Sequence, residues 1–336
     1  MTATGVAIHE EAALRACLRD ALDVSSIELL GHEQLKDGVH RVEADGDGTI
    51  RSLILKWSDA AVARRCALVT QRWLRAAGLE DLGPRLVAVV TQPDGERAWH
   101  VYEELPGRPL STAPPVKAEV EAVMNAIARV HTTFADHPML PECRLWGGDR
   151  GRHFYSSNLR DAVVALRSLD PETDRELAAR EALLERIGEL RRREPERALA
   201  YAAGGPDTLL HGDLWPTNTL VREEGHSIGA RLIDWDEASV GPALFDVSTL
   251  VLRFDPSYRT ELIDSYRHAV ARLGGPELPR GGELMQILEA TAQARLASLL
   301  VWSIAAASKG DSGWLPERLE GIVEWLDAVT PVLPAR

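Results

Sequence analysis

The sequence predicts an α+β protein with two lobes, a small antiparallel β-sheet followed by a mainly helical region. Short apolar runs typical of strands lie between residues 27 and 103, whereas apolar residues at helical spacing dominate after Leu105-Pro106-Gly107. The chain has 336 residues, 45% of them hydrophobic, which is enough for a substantial core in two lobes or one large domain. We therefore expect one domain over residues 1–104 and another over 105–336.

The small lobe should consist of five strands and an intervening helix, preceded by an amphipathic helix over residues 10–22. The strand-like runs are residues 27–30, 39–44, 49–57, 84–90 and 98–103. Between the third and fourth of them, residues 60–77 carry apolar side chains at helical spacing.

The second lobe should be built from helices. The pattern predicts them over residues 116–134, 159–169, 176–192, 244–253, 260–273, 283–307 and 316–329. The longest apolar stretch, residues 296–307, is too short to cross a bilayer, so we interpret it as part of a buried helix.

Three oxygen-bearing side chains stand at a spacing that suits phosphoryl transfer. That reaction mainly requires an oriented acceptor hydroxyl and magnesium to neutralise phosphate charge. Asp213, in His211-Gly212-Asp213, is suited to accept the hydroxyl proton, and Asn218 and Asp234 offer oxygen ligands to Mg²⁺. Two short apolar strands, at residues 219–221 and 230–233, predict a hairpin that folds Asp234 back beside Asn218.

These motifs resemble those of the aminoglycoside phosphotransferase family, whose relatives include choline, homoserine and fructosamine kinases with a protein-kinase-like fold. The matching segments are His211-Gly212-Asp213 with Asn218, Ile233-Asp234-Trp235, and Gly241-Pro242 with Phe245-Asp246. The resemblance implies that Asp213 is the catalytic base and that Asn218 and Asp234 hold Mg²⁺. It also implies ATP, or GTP, as co-substrate, with a nucleotide-binding lobe at 1–104 and the catalytic loop and substrate pocket in 105–336.

The small lobe carries the residues that the resemblance assigns to the nucleotide. Lys56 ends the apolar run Leu53-Ile54-Leu55, and a compact ammonium is a good partner for phosphates. By resemblance Lys56 is the phosphate-binding lysine, and the turn at Gly38, whose backbone amides could cradle phosphate, stands where the phosphate loop should be. Glu103 and Leu105 lie in the segment that resembles the purine-binding hinge.

One departure from the family pattern concerns the partner of Lys56. In the family, a glutamate on the following helix pairs with the lysine, yet residues 60–79 contain no acidic residue. Either Asp59 or an acid of the large lobe takes this place, or Lys56 is held differently.

Other residues near the motifs have structural or substrate-binding interpretations. His211 should brace the loop, and Asp246 should anchor it or act as an acid at a helix N-terminus. Asp236 follows Asp234 by two positions and would share its face on an extended segment, where it would either support the residues that bind the metal or contact a cationic substrate. The remaining acceptor-pocket candidates are Trp146, His153, Phe154, Tyr155, Trp235, Glu289, Trp302 and Trp314.

The net charge and the cysteines limit which binding partners and which cellular compartment are expected. A net charge of -13 and a pI near 5.3 argue against nucleic acid or an anionic membrane as partner, and a cationic small substrate would suit the chain better. Three cysteines without CxxC spacing indicate neither disulfides nor zinc, and no secretory signal is apparent. We expect a cytoplasmic protein, monomeric or homodimeric, with a small-molecule substrate.

The predicted function is phosphoryl transfer from ATP to a hydroxyl of a small molecule. The first choice of acceptor is an antibiotic, as in an aminoglycoside-type resistance or self-protection kinase. The alternatives are a metabolite kinase for a sugar, an amino alcohol or a fructosamine-like amine, and a nucleotide-binding pseudoenzyme. A metallohydrolase using His211, Asp213, Asp234 and Asp236 is a further alternative.

Overall fold

The computed structural model describes residues 8–92, 94–308, 310, 312–329 and 331–333. The strands, in chain order, are β1 (Ile27–Lys36), β2 (Val39–Gly46), β3 (Thr49–Asp59), β4 (Leu86–Thr91), β5 (Arg97–Glu103), β6 (Arg108–Pro109), β7 (Asp207–Leu210), β8 (Thr219–Glu224), β9 (Ser227–Leu232) and β10 (Ser239–Pro242). The α-helices are α1 (Ile8–Leu22), α2 (Ala60–Leu68), α3 (Leu74–Ala76), α4 (Lys117–Phe134), α5 (Leu140–Trp146), α6 (Phe154–Ser168), α7 (Asp174–Arg192), α8 (Glu194–Ala202), α9 (Leu244–Val251), α10 (Pro256–Arg272), α11 (Gly281–Ala307) and α12 (Leu315–Ala328).

The described residues form two compact units. The first unit contains the chain up to Leu110 together with Thr217–Ala238, and the second contains Ser111–Pro216 and Ser239 onwards. This division differs from the single boundary expected at residue 105, because the hairpin of β8 and β9 belongs to the first unit. The reason is strand pairing, since β6 continues into an antiparallel ladder with β8, with Arg108 opposite Val221.

A five-stranded antiparallel sheet dominates the first unit, in the order β1-β2-β3-β5-β4. Alternate residues of β2 and β3 turn inward, so Val42, Leu53 and Leu55 pack with Leu18 of α1 in one core. Asp37-Gly38 joins β1 to β2 as a two-residue turn, and Gly38 has φ +66°, a left-handed conformation that glycine adopts at little cost.

The helix predicted over 60–77 is interrupted by a π-helical turn, Val69–Trp73. Its backbone marker is the bond from the Leu74 amide to the Val69 carbonyl, five residues apart. The wider turn brings Val69, Trp73 and Leu74 inward, and all three are fully buried. Hydrophobic periodicity of 3.6 residues cannot reveal this extra residue, because it assumes a regular helix.

The second hairpin of the first unit has the predicted form. In it, Thr219 pairs with Leu232, and the Ile233 amide donates to the Asn218 carbonyl at 2.9 Å. The open end of the hairpin therefore carries both Asn218 and Asp234. The fold prediction for this segment is confirmed.

The second unit is mainly helical and centres on α11. Buried residues on several faces of this helix pack against α6, α8, α9 and α12. Two further helices, α5 and α8, occur where no helix was predicted, and both carry a proline in their first turn. Proline is well suited to that position, because its missing N–H needs no partner there. Within the described residues, no helix is long and apolar enough to cross a membrane.

Candidate active site

A cavity of about 600 Å³ lies in the first unit. Its charged end is lined by Lys36, Lys56, Cys66, Asp234 and Asp236. Its other walls include Ile54, Tyr102, Glu103, Leu105 and Leu220. A cleft of this size, mostly apolar with a few convergent polar groups, is typical of small-molecule sites.

Lys56 lies at the centre of the charged end. Its Nζ donates a hydrogen bond to Asp234 and another to Asp236 Oδ1 at 2.6 Å. Burial alone would lower the pKa of Lys56, but the two carboxylates raise it overall. Burial likewise opposes ionisation of Asp234, yet the Lys56 ammonium lowers the pKa of that carboxyl to about 2. Both groups are therefore charged at neutral pH.

Asp236 reaches Lys56 from a different local structure than the sequence suggested. An extended segment was expected after Asp234, but Asp234 adopts φ 69° and Trp235–Glu237 forms a 3-10 turn. The left-handed residue reverses the chain at the end of β9, and aspartate tolerates this conformation better than most residues. The prediction of an extended segment is wrong, although both carboxylates face the same ammonium.

The helix after Lys56 contains no acidic residue that could pair with the lysine. Two of its side chains contact Asp236 instead. Cys66 Sγ of α2 lies 3.1 Å from Asp236 Oδ1, and Arg65 donates to the Asp236 carbonyl. Asp59 takes no part in this cluster, since its side chain is 75% exposed and lies 3.5 Å from Arg97. The acids that pair with Lys56 therefore come from the turn after β9.

The other nucleotide-site candidates lie around the same cavity. Glu103 and Leu105 line it, with the Glu103 carboxylate 2.6 Å from Arg85 Nη1. The Gly38 carbonyl accepts from the Trp57 amide at 2.7 Å, which ties the turn to β3. From β1, Lys36 Nζ reaches Asp234 Oδ2 at 3.3 Å.

Of two tryptophans predicted to contact the acceptor, one is buried and the other is exposed. Trp235 is buried, and its indole N–H donates to the Leu232 carbonyl at 3.0 Å, so the ring forms part of the cavity wall. Trp302 on α11 is 58% exposed and lies beside Trp314 in the second unit. Among the other candidates, Tyr155 and Glu289 are buried within the second unit.

The residues that could hold Mg²⁺ are Asn218 and Asp234, at the open end of the hairpin. An amide oxygen and an ionised carboxylate are hard donors, and they fit this cation. The ammonium groups of Lys56 and Lys36 keep the Asp234 carboxylate ionised, so a metal ion bound there would share this carboxylate with them. The described residues contain no group of three or more histidine, cysteine, aspartate or glutamate side chains suited to a metal.

In the second unit, Asp246 holds the loop that carries Asp213. Its carboxylate accepts from the His211 amide at 2.7 Å and from the Gly212 amide at 2.9 Å. His131 Nε2 lies 3.2 Å from the same carboxylate, and His131 Nδ1 lies 2.8 Å from the Tyr266 hydroxyl. Burial would raise the pKa of Asp246, but these hydrogen bonds lower it overall. The loop is thus fixed to the first turn of α9.

Asp213 itself is paired with an arginine that the sequence analysis missed. Arg295 Nη2 of α11 donates to Asp213 Oδ1 at 2.6 Å. Arg295 also lies 5.3 Å from the centre of the Trp215 ring. A single arginine inside an otherwise apolar helical stretch was the available signal, because a charge on a buried helix needs a partner.

The comparison with known families agrees with these features. The model of the phosphotransferase enzyme family matches residues 26–284. The chain belongs to this phosphotransferase family. The predicted family and the predicted enzyme class, a small-molecule kinase, are therefore confirmed. No curated protein matches the chain.

Similar solved structures support the fold. An ethanolamine kinase from Plasmodium vivax is 14% identical with a TM-score of 0.60, over 91% of this chain and 82% of that one. APH(2'')-IIia, solved with GDP and kanamycin, is 15% identical with a TM-score of 0.59, over 96% and 99%. The aminoglycoside phosphotransferase APH(4)-Ia is 17% identical with a TM-score of 0.55, over 94% and 99%. The predicted α+β kinase-like fold is confirmed.

Proposed function

We propose that this phosphotransferase moves the terminal phosphoryl group of ATP, or of GTP, to a hydroxyl of a small molecule in the presence of Mg²⁺. The observation that carries the proposal is the cluster of Lys56, Asp234 and Asp236 at one end of a cavity of about 600 Å³. Lys56 is the cation for the nucleotide phosphates, and Glu103 and Leu105 are the candidates for the purine end. The solved relative that contains GDP supports a nucleotide in this family.

Asn218 and Asp234 are the residues we assign to magnesium. Bound there, the ion would neutralise charge on the phosphates, which is its usual contribution to phosphoryl transfer. Asp236 keeps a second carboxylate on Lys56, so the lysine retains a partner when Asp234 serves the metal.

Asp213 is the residue we assign to the acceptor proton. Arg295 fixes one oxygen of its carboxylate at 2.6 Å, and Asp246 fixes the backbone of the two preceding residues. A positioned carboxylate that accepts a proton contributes about 10² to 10⁴ in rate in enzymes generally. The chain's own side chains thus orient the base before any substrate arrives.

For the acceptor we propose a hydroxyl-bearing antibiotic, with a metabolite as the alternative. The relatives named as aminoglycoside phosphotransferases support the first class, and the ethanolamine kinase relative supports the second. The cytoplasmic location, the absence of a nucleic-acid or membrane partner, and the monomeric or dimeric state stay predictions.

A coupled ADP-release assay against antibiotics and metabolites with free hydroxyls tests this proposal. We expect turnover that requires Mg²⁺ and falls by about 10² to 10⁴ in Asp213→Asn. Asp161→Asn, an exposed acid on α6, is the control and should match the wild type. Slow ATP hydrolysis that Asp213→Asn leaves unchanged, or no hydrolysis at all, would identify a pseudoenzyme.

A further inference from the structure

An arginine of the second unit is held between two tryptophan rings. The Arg253 guanidinium carbon lies 3.3 Å from the centre of the Trp215 ring and 4.3 Å from that of Trp325. The two ring centres are 6.5 Å apart, with an interplanar angle of 56°. Such stacking fixes the plane of the guanidinium and leaves its N–H groups to donate at the edge.

This stack continues to the proposed catalytic base. Trp215 follows Asp213 by two residues, and the Arg295 guanidinium, 5.3 Å from the Trp215 ring, binds Asp213. Arg253, Trp215 and Arg295 therefore form one contiguous surface with the carboxylate that we assign to the acceptor proton.

A groove opens at the other end of the stack. It has a volume of about 370 Å³ and is lined by Trp314, Glu317, Arg318, Gly321, Ile322 and Trp325. Trp325 is shared between the groove and the stack on Arg253. Trp302 lies 6.4 Å from Trp314, ring centre to ring centre, and both are exposed. A contiguous exposed apolar patch is a feature of ligand-binding grooves and of other interaction surfaces.

Arginines lie in and beside this groove, in a chain of net charge -13. Within the part of the chain that is described, neither Arg253 nor Arg318 takes part in an ion pair, and Arg295 is paired only with Asp213. Burial, and then the nearby charge of Arg295, lower the pKa of Arg253 to about 10. Glu317 lines the groove together with Arg318, and Asp213 is the acid bound to Arg295.

We propose that this groove binds the acceptor, and that the acceptor carries a planar group bearing an oxyanion, a carboxylate or a phosphate. This inference rests on the proposed function, because it takes Asp213 as the base. Trp314 and Trp325 would contact the planar part, and the edges of Arg253 and Arg318 would donate to the oxyanion. A polycationic aminoglycoside does not have this chemistry, whereas an anionic antibiotic or metabolite does.

Calorimetric titration of the full chain with four naphthalene probes tests the inference without knowledge of the natural acceptor. The probes are naphthoate, naphthyl phosphate, naphthalenemethanol and naphthylmethylammonium. We expect at least one anion to bind about tenfold or more tightly than the alcohol and the ammonium at low ionic strength. Added salt should reduce this preference, because the arginines are partly exposed. The tighter of the two anions then tells carboxylate from phosphate.

Variants identify the side chains responsible for the preference for anionic probes. Arg318→Met and Arg253→Met should each weaken anion binding about tenfold and leave the alcohol unchanged, and Arg253→Lys should retain part of the preference. Arg160→Met, an exposed arginine on α6, is the control with the same charge change.

Equal binding of the four probes, no binding of any, or tightest binding of the ammonium would overturn the inference. Binding of a fluorescent ADP analogue and slow ATP hydrolysis report on Lys56 and Asp213 separately. An intact nucleotide response with no anion preference therefore rejects the acceptor class and leaves the proposed function standing.

Discussion

Asp236 places a second carboxylate on the Lys56 ammonium, with Oδ1 2.6 Å from Nζ. The helix after Lys56 lacks an acid, and Asp236 approaches the lysine instead from the turn that follows β9. Cys66 and Arg65 of α2 hold Asp236 by its side chain and its carbonyl. The helix thus still positions a carboxylate for the lysine, through two contacts with a neighbouring segment.

Replacing Asp236 by asparagine removes one of the two negative charges from Lys56. We expect the KM for the nucleotide to rise and kcat to fall, each by about tenfold, because a charged hydrogen bond contributes about 1.5–3 kcal/mol. Cys66→Ser keeps a donor at the same place and should stay near the wild type. Glu237→Gln, at the adjacent exposed position, is the control. Unchanged kinetics of Asp236→Asn in the ADP-release assay would remove Asp236 from the site.

His100 gives the first unit a dependence on pH. It is fully buried on β5, and burial lowers its pKa from 6.5 to about 4. The folded chain therefore disfavours the protonated ring, so its contribution to stability is complete above pH 6.5 and is lost as the pH falls towards 4. A shift of this size corresponds to about 3 kcal/mol.

Urea unfolding at several pH values checks the contribution of His100. We expect His100→Gln to reduce the loss of stability between pH 6.5 and 4, while His226→Gln, in the exposed turn between β8 and β9, leaves it as in the wild type. An unfolding free energy that falls equally with pH in the wild type and in His100→Gln would contradict this assignment.

At the scale of elements, hydrophobic periodicity predicts the regular strands of the large sheet. It does not predict local departures from regular structure. The five strands of the large sheet and the hairpin after Asn218 follow from alternating apolar residues. The π-turn at Val69–Trp73 and the 3-10 turn at Trp235–Glu237 arise from tertiary packing, and no repeating sequence pattern predicts them. The motif residues Asp213, Asn218 and Asp234 could be found from spacing. Arg295 could not, because its contact with Asp213 spans 82 residues.

A buried ion pair joins α8 to α11. Arg197 Nη1 lies 3.0 Å from Glu289 Oε2, and both side chains are nearly inaccessible. Glu289→Leu would leave the arginine charge buried without its acid, so we expect a loss of about 3–5 kcal/mol in the free energy of unfolding. Urea titration measures this loss.

Two further variants separate the effect of charge from the effect of packing at the Arg197–Glu289 pair. Arg197→Met combined with Glu289→Leu should recover most of the stability, because two apolar side chains leave no unpaired charge. Glu196→Gln in the exposed pair with Arg193 should change stability by less than about 1 kcal/mol. A single variant at Glu289 as stable as the wild type would show that the buried pair contributes little.

At the scale of the whole molecule, the net charge and the charged groups around one site carry different information. The value of -13 suggested a cationic substrate, yet the surface beside Asp213 carries Arg253, Arg295 and Arg318. Acidic residues on the surface elsewhere serve solubility as much as binding. The charge that decides recognition is the charge within one Debye length of the site, about 8 Å at physiological salt.

The first unit is assembled from two distant stretches of chain, and this has a testable consequence. A polypeptide that ends at residue 110 lacks Asp234 and Asp236, so it leaves Lys56 without its acids and β6 without its partner strand. We expect it not to bind a fluorescent ADP analogue, whereas a version joined by a short flexible linker to residues 217–238 should bind it. The joined version with Asp234→Ala and Asp236→Ala is the control for the carboxylates. Nucleotide binding by the shorter polypeptide with the affinity of the full chain would show that the sheet alone suffices, and that the hairpin contributes only to the chemistry that follows binding.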